Sequence, residues 1–183
     1  MTIDPICYTG RPADTRSAPE EAIYDALDAL NISYTRADHE HADTMEDCLA
    51  IEQVLGGKIC KNLFLCNRQQ TDFYLLMMPS DKPFKTKYLS AQIGSARLSF
   101  AGAEHMERLL HTIPGSVSAL ELIFDQAGEV RLLMDRDLLA DETVSGHPGL
   151  STSTVRMARA DLLRYVEACH HSPTIIDLPN NPE

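Results

Sequence analysis

The chain has 183 residues, 44% of them apolar and 6% aromatic with no tryptophan, a composition that suits one domain with a sizeable core and excludes a mostly disordered chain. No apolar run approaches the roughly 20 residues needed to cross a bilayer, and the opening MTIDPICYTGRPADTRS lacks the basic and apolar regions of a signal peptide, so a cytoplasmic protein is expected. The net charge of −11 argues against tight, long-footprint nucleic-acid binding, yet residues 1–57 hold 12 Asp/Glu against 3 Lys/Arg while residues 58–183 hold 15 against 13, so a local basic surface stays open on the remainder.

Residues 1–16, with Pro5, Gly10 and Pro12 and little periodicity, read as an arm. SAPEEAIYDALDAL then begins a helix: Ser17 and Glu20 have capping-box spacing, and Ile23, Leu27 and Leu30 recur on one face. ISYTRAD is a short strand. DTMEDCLAIEQVLGG is a second helix capped by Asp43 or Thr44, with Met45, Leu49 and Val54 loosely at helical spacing and a stop at Gly56-Gly57. KNLFLCN and DFYLLMM, separated by the polar RQQT, form a β-hairpin apolar on both faces, hence central in a sheet.

DKPFKTKYLSAQIG reads as a helix ended by Gly94, RLSFA as a strand and AEHMERLLH as a short helix. IPGSVSALELIFD reads as a tight turn leading into a strand, followed by a turn at QAGEV and the strand VRLLMD. TVSGHPGLSTSTVRM holds a loop between two strands, and ARADLLRYVEACHH is a closing amphipathic helix with Leu162, Leu163, Val166 and Cys169 inward. The tail SPTIIDLPNNPE is extended and frays over 179–183. The pattern is one mixed α+β domain over 17–178.

The five cysteines, Cys7, Cys48, Cys60, Cys66 and Cys169, are odd in number and lack close C-x-x-C pairs, which argues against a disulfide framework or a zinc site. His39, His41 and the pair His170-His171 have no further acidic or cysteine partner at ligand spacing, so no metal and no cofactor are expected. Four stretches combine backbone freedom with polar groups: GGKICKN, DKPFKTK, PGSVS and SGHPG. Glycine beside proline and serine lets backbone N–H groups converge on a ligand without a Cβ in the way. Lys61, at the edge of an apolar strand, either turns to water or meets something negative. Ser116 as a nucleophile needs a base that the sequence does not place.

Taken together and in order, ICKNLFLCN, DKPFKTKYLSAQIGSARLSFA, IPGSVSAL and GHPGLSTST resemble the YbaK/prolyl-tRNA synthetase-associated editing family, closest to its free-standing Ala-tRNA(Pro) deacylases. The similarity runs from about residue 18 to 178 and leaves the arm outside. It implies a mixed, partly closed β-sheet barrel surrounded by helices, and hydrolysis of the ester joining alanine to the 3′ adenosine of tRNA(Pro). It assigns Lys61, Asn62 and His147 to catalysis, and Gly115, Ser116, Val117, Gly146 and Pro148 to the substrate pocket. Lys82, Lys85 and Lys87 become the stretch for acceptor-stem phosphates, with prolyl-tRNA synthetase as a second candidate partner. Two positions depart from the family pattern: Ser151 stands where an asparagine is frequent, and His41-Ala42-Asp43 where H-P-P is usual.

An aminoacyl ester is already activated, so the reaction needs a positioned water, oxyanion stabilisation and a grip on the RNA end rather than a covalent nucleophile. Lys61 supplies charge, backbone amides at 115–117 and 146–147 are candidate donors, His147 is a further donor candidate, and the resemblance implies that the substrate's 2′-hydroxyl helps activate the water. A small pocket that rejects the proline ring by overlap is expected. Two alternatives remain open: another mischarged tRNA such as Cys-tRNA(Pro) or a Ser-charged tRNA, and a non-catalytic tRNA-binding module.

Overall fold

The computed structural model describes residues 1–42 and 44–180. In chain order they form β1 (Tyr8–Thr9), α1 (Ala18–Ala29), β2 (Tyr34–Asp38), α2 (Met45–Leu55), β3 (Cys60–Asn67), β4 (Phe73–Pro79), α3 (Thr86–Ile93), β5 (Leu98–Phe100), α4 (Ala103–Leu110), β6 (Val130–Asp135), β7 (Thr143–Gly146), β8 (Ser153–Ala158), α5 (Arg159–Ala168) and β9 (Thr174–Ile176). Two short 3-10 helices, Ala119–Phe124 and Arg136–Ala140, complete the set. Among the described residues no helix is long and apolar enough to cross a membrane.

The strands make two sheets, β1-β2-β8-β7 and β5-β3-β4-β6-β9. In the larger sheet β4 pairs antiparallel with β3 and parallel with β6, so the hairpin is central. Its two faces serve different layers. Phe64 and Cys66 of β3 with Phe73, Leu75 and Met77 of β4 join Val144, Val155 and Met157 of the smaller sheet in one core. Leu65, Tyr74, Leu76 and Met78 point the other way and pack on Leu89 of α3, Ile176 and Leu178. That two-sided burial is why the hairpin reads as continuously apolar. The sheets touch where the Cys60 N–H donates to Ser145 Oγ at 3.2 Å, so the α+β architecture is a partly closed pair of sheets with helices around it.

α1 forms where its capping box directs it, with both reciprocal Ser17–Glu20 bonds present and Ile23 and Leu27 fully buried. α2 has the Thr44 cap, but its inward residues are Ile51 and Leu55, and Leu49 is 54% exposed. The alternative Asp43 cap and the Met45 side chain lie outside the described residues, as do 181–183 of the tail. α3 begins only at Thr86: a turn closed by Lys82 N–H to the Pro79 carbonyl (3.3 Å) and a short irregular stretch precede it, and Gly94 closes it at φ +63°.

One expectation is corrected, and the arm and tail gain sheet pairings that the sequence did not show. ALELIF is a 3-10 helix, not a strand: Ser118 caps it and Glu121 completes a capping box, which consumes the N–H groups a ladder would need. The tail is not merely extended, since Thr174–Ile176 pairs with β6 and buries Ile176. The arm is docked along β2 through Tyr8–Thr9 and an isolated bridge from Ile3 to His39. Arg11 fastens it further to Asp25 (2.7 Å) and Asp28 (3.3 Å) of α1.

Candidate active site

β5 pairs with β3 only at Leu65–Asn67, which leaves the first half of β3 with an open edge. The Phe64 carbonyl accepts from Ala101 N–H at one end of that edge, and the Cys60 N–H is taken by Ser145 at the other. Strand alternation turns the main-chain N–H and C=O of Asn62, between them, to the same side. A cavity of about 340 Å³ runs along this edge, and Lys61, Asn62, Gly115, Val117 and His147 all line it. Five of the eight residues assigned to catalysis or the pocket thus meet in one hollow, from three separate segments.

Lys61 is half-buried, and burial lowers its ammonium pKa below the usual lysine value. Its Nζ donates to the carbonyls of Ser80 (3.3 Å) and Lys82, which leaves one N–H for a ligand. Asn62 Nδ2 reaches the Cys60 carbonyl at 3.5 Å, while Asn62 Oδ1 is buried without a partner. An unpaired buried acceptor costs about 1–3 kcal/mol, a cost that a ligand N–H would remove.

His147 Nδ1 lies 3.0 Å from the Ser153 carbonyl, which can only accept, so the ring carries its proton there and presents Nε2 as an acceptor. Burial pushes its pKa down to about 4, so it is neutral at physiological pH. The expected donor role is therefore corrected: the one N–H of the neutral ring is already used. Thr154 Oγ1 sits 3.2 Å from the same nitrogen and 2.8 Å from His39 Nε2, and His39 Nδ1 donates to the Glu40 carbonyl at 2.7 Å. This chain fixes both imidazole planes.

The remaining assigned residues act behind the wall. Ser116 is fully buried and its Oγ accepts from Ser151 N–H at 2.9 Å, which is bracing rather than nucleophilic chemistry. Gly146 allows Ser118 to approach: a Cβ there would meet Ser118 Cβ at 3.1 Å. Pro148 is buried in the same loop. Gly115 needs its glycine, with φ +86° and a hypothetical Cβ 3.0 Å from His41 Nε2. The two departures from the family pattern touch each other, His41 Nδ1 being hydrogen-bonded to Ser151 Oγ.

Lys82 is corrected as an RNA contact. Its side chain is 3% exposed, and Nζ lies 3.0 Å from Asp135 and 2.8 Å from Asp137, so its charge is spent inside the protein. Lys85 and Lys87 are exposed.

One residue that sequence reasoning missed ties the two glycine-bearing loops together. Glu121 is fully buried. Its carboxyl group accepts from the Ser118 N–H and from Gly149 N–H at 2.8 Å. Burial raises its pKa to about 8 against the opposing pull of these donors. Ser118 Oγ also reaches the His147 carbonyl at 2.7 Å, and Thr112 Oγ1 donates to the Gly149 carbonyl at 2.7 Å. The S-x-x-E spacing of Ser118 and Glu121 was the signal that could have found it. Phe100, Met106 and Ser80 also line the cavity, and nothing in the sequence marks them. The whole cavity, at about 340 Å³, is larger than an alanyl group requires.

The chain is similar to known proteins over most of its length. It is 31% identical over 159 residues to the prolyl-tRNA editing protein ProX of Acetoanaerobium sticklandii, covering 87% of this chain and 97% of that one. It is 30% identical over 167 residues to the prolyl-tRNA synthetase associated domain-containing protein 1 of Danio rerio, covering 90% and 88%. In fold it matches a crystal structure proposed to be a trans-editing enzyme for prolyl tRNA synthetase, at TM-score 0.67 and 16% identity, over 91% of this chain and all of the other. The profile of the aminoacyl-tRNA editing domain spans residues 39–165, which takes in β3 with Lys61, both glycine-bearing loops and the cavity between them. The chain belongs to the aminoacyl-tRNA editing domain family and is an aminoacyl-tRNA deacylase.

Proposed function

We propose that the protein is a trans-editing enzyme for mischarged tRNA(Pro), that its substrate is Ala-tRNA(Pro), and that it spares Pro-tRNA(Pro) by size. The observation that carries this reading is the single cavity that gathers a half-buried ammonium, an unpaired buried amide oxygen, a neutral imidazole acceptor and a glycine-bearing turn. The names of the relatives in Acetoanaerobium sticklandii and Danio rerio support tRNA(Pro) as the RNA.

In the reaction, water adds to the ester carbonyl, the bond to the ribose 3′-oxygen breaks, alanine leaves as its carboxylate and the 3′-oxygen takes up a proton. Lys61, held by the Ser80 and Lys82 carbonyls, turns its remaining N–H toward the charge that develops on the carbonyl oxygen or toward the terminal phosphate. Asn62 Oδ1 accepts from the substrate's α-ammonium. With a pKa of about 4, His147 is too weak a base to hold a proton at neutral pH, so its Nε2 orients the water or the ribose 2′-hydroxyl, and the 2′-hydroxyl relays the proton. Lys85 and Lys87 supply the phosphate contacts that Lys82 cannot. Such a protein works where tRNA is charged, in the cytoplasm, with or without prolyl-tRNA synthetase holding the RNA.

Preference for a smaller group gains only ~1–3 kcal/mol per methylene, whereas forcing a ring against packed walls costs more. Val117, 8% exposed and lining the cavity, is the wall residue for that overlap. The test is to incubate the protein with tRNA(Pro) charged with Ala, Cys, Ser or Pro and to follow ester loss. Rapid loss of Ala with Pro retained is expected, and Val117→Ala should begin to release Pro. Preferential loss of Cys or Ser would transfer the assignment to that substrate, and retention of every ester would overturn it.

A further inference from the structure

Ten of the eleven Phe and Tyr side chains are buried or half-buried; Phe100, at 62% exposure, is the exception and the most exposed large apolar side chain among the described residues. A single exposed apolar residue is ordinary on a protein surface. This one is different in position, because the same side chain lines the cavity that holds Lys61 and Asn62.

Its placement follows from the sheet. Phe100 is opposite Leu65 in the β5–β3 pairing, at the point where β5 stops covering β3 and the open edge begins. Lys61 and Leu65 have the same parity on β3, so Phe100 and Lys61 project from the same face. Four residues at about 3.4 Å each put the backbone of Lys61 about 14 Å along the strand from Leu65, the residue opposite Phe100. A free amino acid does not span that length, but an aminoacylated nucleoside does. Between the ends lie Asn62 and Leu63 on the strand, with Met106 of α4 also in the lining. The Phe100 end is apolar and uncharged, which suits a heterocycle and not a phosphate.

We propose that Phe100 is the stacking platform for the terminal base of the RNA, a purine ring laid on the exposed phenyl face while the ester reaches Lys61. This rests on the tRNA-editing reading and adds to it a specific subsite. Stacking of a base on an aromatic side chain is tolerant of base identity, because every base offers a π-face, and single-stranded ends are the parts of an RNA that can be laid open in this way. The subsite would therefore recognise the presence of a terminal nucleoside, leaving identification of the tRNA to contacts elsewhere.

The chain contains no tryptophan, so Phe100→Trp installs a lone fluorophore at the site. With the full-length variant, uncharged tRNA(Pro) ending in CCA should change the emission saturably, and the same tRNA lacking its 3′-terminal adenosine should leave it unchanged at equal concentration. In the wild-type background, Phe100→Ala should raise the KM for Ala-charged tRNA(Pro) about tenfold or more, while Phe100→Trp retains the wild-type KM. Both variants should keep the wild-type melting temperature, because the side chain stands outside the core. An emission change that is identical with the shortened tRNA, or a Phe100→Ala enzyme with unchanged KM, would overturn the proposal. If Phe100→Ala matches an active wild-type enzyme, the stacking subsite is wrong and the editing reading stands. If Phe100→Trp responds to the terminal adenosine while the wild-type protein hydrolyses none of the charged tRNAs, the subsite stands and the editing reading fails.

Discussion

Replacing Lys82 by methionine tests the correction that moved this residue from the RNA surface to the interior. The substitution keeps the length of the side chain and removes an ammonium that lies 3.0 Å from Asp135 and 2.8 Å from Asp137. Asp135 is fully buried and would be left as an uncompensated charge, whereas Asp137, 44% exposed, can rehydrate. Breaking a buried pair from one side costs roughly 3–5 kcal/mol, and the exposed second partner puts this case at the lower end, about 3 kcal/mol. For a domain of this size each kcal/mol lowers Tm by roughly 2–4 °C, so a fall of about 6–12 °C is expected. Removing the orphaned charge as well, with Lys82→Met/Asp135→Asn, should recover most of the loss, since the asparagine can still accept the Asp137 N–H that Asp135 Oδ1 takes at 2.9 Å. The single variant should also lose turnover beyond its stability defect, because the Lys82 carbonyl accepts from Lys61 Nζ and the ion triad is what anchors that carbonyl. Urea unfolding at neutral pH, with m-values compared across the three proteins, reads the stability. The reasoning fails if the single variant lies within about 1 kcal/mol of wild type, or if the double variant is no more stable than the single.

Lys61→Ala should abolish deacylation while leaving the unfolding midpoint close to wild type, since the ammonium meets only two carbonyls near the cavity mouth; unchanged turnover would refute its catalytic role. Acidification should weaken the fold through His147: its folded pKa is lowered to about 4 from an ordinary 6.5, so the unfolded chain binds the extra proton and stability falls as pH drops through that window. The full shift corresponds to about 3 kcal/mol, reduced to about 2–3 kcal/mol because the ring keeps some exposure to the cavity. Denaturant melts at pH 7 and pH 4.5 should show a smaller pH dependence for His147→Asn, and equal slopes would remove His147 as the cause. Gly115→Ala should cost about 1–2 kcal/mol for the left-handed backbone and lower kcat/KM by pressing on His41; a variant as stable and active as wild type would show that the turn tolerates a Cβ.

What could be read from the chain before its fold divides along a physical line. α1 was legible because every signal agreed: the Ser17–Glu20 box, a proline in the first turn and one apolar stripe. The hairpin was legible because a strand buried on both faces has no other periodicity to offer. ALELIF was not, because a short apolar run fits a strand and a buried helical turn equally well by pattern, and the deciding contact is a side chain folding back on its own N-cap. Lys82, Lys85 and Lys87 looked like one basic face, yet α3 starts after Lys85, and the acids that claim Lys82 are 53 and 55 residues further along the chain.

The same division runs through the site. Lys61 and the PGSVS and SGHPG turns stood out by residue type, whereas Asn62, Gly115 and His147 were assigned through the family resemblance, and all four line the one cavity. Glu121 escaped because its use depends on a partner in another segment, Gly149, and Ser116, which was singled out, takes a bracing contact from Ser151 that its own motif does not show. The His147 case joins the two. Its ring type suggested a donor, but the Ser153 carbonyl takes the only available proton and burial prevents a second, so the fold converts a general-purpose imidazole into a dedicated acceptor. A pocket built this way, with its one ammonium opposite an unprotonated ring, has no strong acid or base of its own to attack a correctly charged ester. On the size-exclusion reading proposed above, a substitution that repositions the wall at Val117, which lines the cavity, changes which acyl group fits before it changes the chemistry.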